Sequence, residues 1–188
     1  MSPRVLRVAV LFAAVLLVLQ AWRSWVLLAS YDQGIFQQVL WNSLQGHPFE
    51  STLSSQLSTN VIHAGELPSV DYERLGQHFT PTLLLWAPLL GLIGGAALPL
   101  VQVGLITAAG LTLHRLALGL LPERTANWLT YGFFAGNALI GPTLGNYTDL
   151  CQLPLAVFVL MLGLVERRRW WITGAALWIP WILSLIHI

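Results

Sequence analysis

From Val8 to Leu19 no polar side chain interrupts the chain, and apolar segments of comparable character recur along its length. About 20 such residues cross a bilayer as a helix, because a helix satisfies every backbone donor and acceptor within itself. Segments of this kind lie at about 5–29, 79–95, 97–121, 127–145, 150–165 and 170–188. Charge is correspondingly scarce at 9% of residues, against roughly 25% in soluble domains. The 16 glycines and 9 tryptophans suit helices that approach closely and anchor at interfaces. The sequence therefore predicts an all-α, polytopic integral membrane protein. Its single cysteine, Cys151, excludes an intrachain disulfide and a multi-cysteine metal site.

The placement of arginine sets the expected topology. The chain has no lysine, and its nine basic residues are Arg4, Arg7, Arg23, Arg74, Arg115, Arg124, Arg167, Arg168 and Arg169. If all six apolar segments crossed, Arg167–Arg169 would fall on the outer side. If 79–95 instead lies in the outer interface, the amino terminus, Arg115, Arg124 and Arg167–Arg169 share the cytoplasmic side, which holds seven of the nine arginines. The excess of positive charge on cytoplasmic loops favours the second arrangement. So do Pro81, Pro88 and the glycines between Gly91 and Gly95, which suit an interfacial or re-entrant segment. About five transmembrane helices result: 5–29, 97–121, 127–145, 150–165 and 170–188. Arg4 and Arg7 ahead of Val8–Leu19 have the form of a secretory signal, but apolar residues continue to Leu28 and further spans follow, so an uncleaved signal anchor is expected. The amino terminus is expected in the cytoplasm.

On this topology residues 30–96 form one external loop. The external side collects Asp32, Glu50, Glu66, Asp71, Glu73 and Asp149, which are six of the eight acidic residues, with His47, His63 and His78. Long polar loops between membrane helices are more often functional than idle. Within this one, Ile35, Phe36, Val39, Leu40 and Leu44 share a helical face, Gln37, Gln38, Asn42 and Gln45 lie largely opposite, and Gly46 with Pro48 ends the run. The pattern predicts an amphipathic helix at about 33–45 resting on the membrane surface, with Trp41 suited to the interface.

The ionisable residues each have a plain reading. Asp32 fits the amino-terminal cap of that helix, a role compatible with catalysis. Glu66, Asp71 and Glu73 fit a solvated face. His78 fits an interfacial polar residue, and its spacing from His63 matches no standard metal motif. His114 and Arg115, at the cytoplasmic end of a span, fit snorkelling side chains. Arg167–Arg169 fit a topology signal, with anionic-lipid binding as a minor alternative.

A family resemblance adds to this. Tyr31, Asp32, Gly34, Phe36, Gln38, Trp41 and Asn42, then Gly46, Pro48 and Phe49, then His78, Phe79 and Pro81 resemble the motifs of a bacterial membrane family called domain of unknown function 2079. The likeness is strong over residues 31–90. A later element of that family, Phe-His-Pro-Glu, is matched here only by Tyr147 and Asp149, without a histidine. The layout is in turn similar to the glycosyltransferase C superfamily, which includes the protein mannosyltransferases and the aminoarabinose transferases. Those enzymes carry an acidic residue just after the first membrane helix and use polyprenyl-phosphate sugars.

That resemblance implies sugar transfer at the outer face, with Asp32 as base, His78 as its partner, Arg74 as a phosphate contact, and Gln38, Trp41 and Asn42 near the substrate. A divalent metal is one way to offset the leaving phosphate. The expected partners are membrane lipid and a polyprenyl-phosphate sugar, with no nucleic acid. The alternative is a non-enzymatic membrane scaffold or a transporter component. Spans nearly free of ionisable groups speak against transport, with Arg23 the exception. The terminal Leu183–Ile188 reads as translated transposon-end sequence closing an apolar segment, so the chain is expected to be the amino-terminal piece of a longer protein, and His187 carries no weight.

Overall fold

The computed structural model describes residues 2–26, 28, 30–55, 72–73, 81–145 and 147–183. The described residues are helical, apart from connecting turns and one isolated antiparallel bridge between Glu50 and Glu73.

Helix α1 runs Pro3–Trp25. The Ser2 hydroxyl accepts from the Arg4 amide and Pro3 opens the first turn, where its missing N–H leaves nothing unpaired. Val5, Ala9, Phe12, Leu16 and Gln20, spaced three and four apart, form its buried stripe. The opposite face carries Val10, Leu11, Val15, Val18 and Trp22, all exposed and all apolar. A helix facing water would be polar there, so this face has lipid as its solvent.

Tyr31–Leu44 forms α2. The next described run is 3-10 helical at Pro81–Trp86, α-helical as α3 at Ala87–Ile93, 3-10 again at Gly94–Ala96, and then continues as α4, Ala97–Leu118. Gly94 has φ +62, a left-handed conformation that glycine adopts without steric penalty, and it separates α3 from α4. The remaining helices are α5 (Glu123–Ala135), α6 (Asn137–Leu144), α7 (Leu153–Val165, preceded by a 3-10 turn at Asp149–Gln152) and α8 (Arg169–Ile182).

Helix α4 is the hub, packing on α1, α5, α6 and α7, while α7 and α8 form a hairpin. Gly110 lets the Phe134 ring of α5 close onto α4, and Phe134 meets Phe12 of α1 at a centroid distance of 4.8 Å. Three helices thus share one aromatic contact. Where a snorkelling histidine was expected, His114 is buried at 1% exposure, with Nδ1 3.1 Å from Thr130 Oγ1. Thr130 gives its own hydrogen to the Ala126 carbonyl, so the histidine is the donor of this bond between α4 and α5.

Among the described residues two stretches are long and apolar enough to cross a membrane: Pro3–Trp25 and Pro81–Leu118. The latter contains the expected 97–121 segment but also takes in 81–96, read from sequence as non-spanning. The expected 127–145 span is broken at Gly136 into helices of 13 and 8 residues. Helices α7 and α8 have 13 and 14 residues, about 20 Å each at 1.5 Å per residue, against the roughly 30 Å of a hydrocarbon core.

Candidate functional site

The amino-terminal turn of α2 follows α1 after a short connection, and Ser30 rather than Asp32 is its cap: the Ser30 hydroxyl accepts from the Gln33 amide. Asp32 lies one place further on, exposed in the first turn, where a carboxylate is stabilised by the positive end of the helix dipole.

The apolar face of α2 is as the periodicity predicts, but its partner is protein. Ile35, Phe36, Val39 and Leu40 are buried, and α2 packs on α3 and the Pro81–Trp86 turn. Phe36 meets Tyr147 edge-on at 5.7 Å. Trp41 is exposed, as an interfacial anchor would be.

The polar face of α2 holds a return segment. Gln38 Nε2 donates to Thr52 Oγ1 at 2.7 Å, while Gln38 Oε1 accepts from Ser51 Oγ at 2.8 Å and from the Leu53 amide at 3.2 Å. Asn42 donates to the Glu50 carbonyl at 3.0 Å, and the Tyr31 hydroxyl to that of Leu53. Both amide side chains expected near the substrate thus fasten residues 50–53 onto the helix that carries Asp32. Phe49 turns this corner with φ +64 and is buried, so its ring pins a backbone conformation that side-chain-bearing residues rarely adopt. His78 and Arg74 lie outside the described residues, as do His63, Glu66 and Asp71. Among the described residues no group of three or more His, Cys, Asp or Glu side chains could hold a metal ion.

Two further polar groupings lie inside the fold. At the first, side chains from α1 and α4 donate to carbonyls at the carboxyl end of α6. Gln20 donates to Thr143 O at 2.5 Å, Arg23 to Gly145 O at 2.7 Å, and Gln102 to Pro142 O at 3.0 Å. Arginine at a helix carboxyl end also meets the negative pole of its dipole. The second joins Asp149, expected on the external face but only 5% exposed, to its neighbours. Asp149 Oδ1 accepts from the Tyr147 hydroxyl at 3.0 Å and from Gln152 Nε2 at 3.3 Å. Gln152 also donates to Thr82 Oγ1 at 3.2 Å and accepts from Trp178 Nε1 at 3.1 Å. Burial, reinforced by the neighbouring Asp149, raises the pKa of the Tyr147 hydroxyl well above its ordinary range and keeps it a donor.

A groove of about 630 Å³ opens beside the start of α2, between α1, α2 and residues 93–100. Its polar contributors are Gln20, Ser24, Gln33 and Gln37. None of these entered the sequence-based candidates. The available signal was glutamine or serine at positions where an apolar helix face would otherwise continue.

No curated protein and no solved structure matches the chain. The sequence model of a family described as "Predicted membrane protein (DUF2079)" matches residues 23–185, a range holding α2, the groove glutamines Gln33 and Gln37, and the Asp149 cluster. With its lipid-facing α1 and the motif residues on α2, the chain belongs to this family of membrane proteins.

Proposed function

We propose that this membrane protein is a glycosyltransferase-C-like enzyme that transfers a sugar from a polyprenyl-phosphate donor at the outer face of a bacterial inner membrane, its amino terminus lying in the cytoplasm. The observation that supports this most is the position of Asp32. Its carboxylate is exposed in the first turn of a helix that begins just after a membrane-length helix. A lipid-borne donor presents its reactive carbon at that depth.

In the proposed reaction Asp32 takes the proton of an acceptor hydroxyl. The oxygen attacks the sugar's anomeric carbon as the carbon–oxygen bond to phosphate breaks, and the polyprenyl phosphate leaves with the bonding pair. Arg74 and His78, or a divalent metal, offset its charge. Gln38 and Asn42 act by holding the return segment against α2, and Trp41 anchors the site at the interface.

The test is incorporation of radiolabelled sugar by membranes bearing Asp32→Asn. Incorporation is expected to fall by two orders of magnitude or more, on the order of the 10²–10⁴-fold contribution of a general base, with the variant accumulating to the same level. Unchanged incorporation sinks the assignment. A transporter component is the second reading, favoured by the helix break at Gly136 and the polar side chains gathered behind it. Substrate uptake into vesicles that is abolished by Gln102→Leu would support it.

A further inference from the structure

The groove beside α2 is bordered by a buried polar side chain. Gln33 is 4% exposed and borders the groove, and among the described residues its side-chain amide makes no hydrogen bond. An amide that faces hydrocarbon unpaired costs about 1–3 kcal/mol, and glutamine at this position is explained if an occupant of the groove completes it. Gln37 Nε2 donates to Gly95 O at 2.9 Å, which leaves its oxygen as an acceptor beside Gln33. A Cβ on Gly95 would lie 3.3 Å from Gln37 Nε2, so the amide would have to give by a few tenths of an ångström. The Ser24 hydroxyl is on the α1 side.

The rest of the lining is apolar: Leu17, Ala21, Ile93, Ala96, Pro99 and Leu100. Among the described residues no charged side chain lines the groove. Its α1 wall continues into the lipid-facing surface formed by Val15, Val18 and Trp22, so it is reached from the bilayer. The volume of 630 Å³ falls within the roughly 300–1,000 Å³ of clefts that hold discrete small molecules.

We infer that this groove is a binding site for an acylated membrane lipid, with the hydrocarbon chain along the Leu17–Ala21 and Ala96–Leu100 walls and a neutral ester carbonyl accepting from Gln33. The occupant's polar contact is uncharged because the described lining is: a phosphate there would meet amides and a hydroxyl, while Arg23, which touches Gln20 at 3.4 Å, is already held by the Gly145 and Leu28 carbonyls. The carbonyl takes a Gln33 N–H, and a glycerol hydroxyl or bridging water completes Gln37 Oε1. The inference is independent of the transferase reading, since it uses neither Asp32 nor a sugar.

The experiment places the full chain in phosphatidylcholine vesicles containing a small fraction of phosphatidylcholine with a diazirine on one acyl chain. Photolabelled residues are then mapped by mass spectrometry. Labelling is expected to concentrate on Leu17, Ala21 and residues 93–100 relative to Val10, Leu11 and Val18 of the same helix. Ala96→Phe, which fills the groove, should remove that concentration while labelling at Val10 and Leu11 persists, which also shows the variant to be folded. Gln33→Leu should lower groove labelling by about threefold to tenfold, the factor carried by one net hydrogen bond. A diazirine-bearing alkane without a carbonyl should be indifferent to that substitution. Even labelling around α1, or groove labelling unaffected by Ala96→Phe, overturns the site. Displacement by polyprenyl phosphate but not by added phosphatidylcholine overturns the assignment to an acyl lipid.

Discussion

Gln38 shows how a single side chain supports the candidate site without touching chemistry. Its one amide makes three hydrogen bonds to residues 51–53, and Ser51 is fully buried. Gln38→Leu keeps the volume but strands the Ser51 hydroxyl and the Leu53 amide. The expected effect is a loss of about 1–3 kcal/mol in the local stability of the return segment. Gln38→Glu keeps both acceptor contacts and loses only the bond to Thr52, so its effect should be smaller. Hydrogen exchange at the Leu53 amide measures both: faster exchange in the order wild type, Glu, Leu is the expected result, and unchanged protection in Gln38→Leu refutes the staple. Residue types at this scale were readable from the sequence, but partners were not. Asp32 and Ser30 are both good caps by type, and only the backbone conformation at Ser30 decides which one accepts from the Gln33 amide. Gln20 meets Thr143 across 123 positions of chain, a contact that no local pattern encodes. Asp149 reads from sequence as one of the external acidic residues, but the Gln152 and Thr82 groups that meet in its cluster arrive only with tertiary packing.

At the scale of elements, periodicity located α2 to within a few residues because its apolar face repeats at helical spacing, and proline and glycine marked 81–96 as interrupted. What the face meets was not encoded locally. An amphipathic stripe is the same whether it covers lipid or the turn at Pro81–Trp86. Breaks inside apolar runs were equally silent: Gly136 was one glycine among many, yet the chain is extended there and α5 ends. The tightest junction between elements is where α4 meets α5. A Cβ on Gly110 would lie 2.6 Å from Phe134 Cε1 and 3.0 Å from Phe133 Cδ1, closer than carbon atoms tolerate. Gly110→Ala should therefore destabilise by about 1–3 kcal/mol and lower the thermal midpoint of the detergent-solubilised protein. Phe134→Leu alone loses the Phe12 ring contact but frees the space. The double variant should be more stable than the sum of the single effects predicts, with a coupling on the order of 1 kcal/mol, as for residues in direct contact. Strict additivity means that the ring and the glycine do not meet.

Across the whole molecule the helix directions bring the arginines together. The carboxyl end of α1 reaches Thr143 and Gly145 and shares the groove with Gly95–Leu100, so α1 runs opposite to α4. Arg4 and Arg7 therefore lie at the end where α4 finishes with Arg115 and α5 begins with Arg124. Glu166, in the turn between α7 and α8, reaches the same place: it holds Arg115 through two bonds of 2.8 and 2.9 Å, and Arg115 also sits 5.3 Å from the Trp171 ring. Arg115 is more than half exposed, so this pair contributes about 0–1 kcal/mol and matters more as a marker of position. Arg167, Arg168 and Arg169 complete a basic end. Asp32, Glu50 and Asp149 belong to the other. Such segregation sets orientation during insertion, which predicts the basic end in the cytoplasm. The check uses single cysteines on a Cys151→Ala background, since Cys151 is small and buried. His47→Cys, at the exposed end of α2, should react with a membrane-impermeant maleimide in intact spheroplasts. Arg124→Cys should react only after the membrane is opened. The reverse pattern would place Asp32 in the cytoplasm, and with it would fall both the outward-facing transfer reaction and the assignment of the seven clustered arginines as its topological cause.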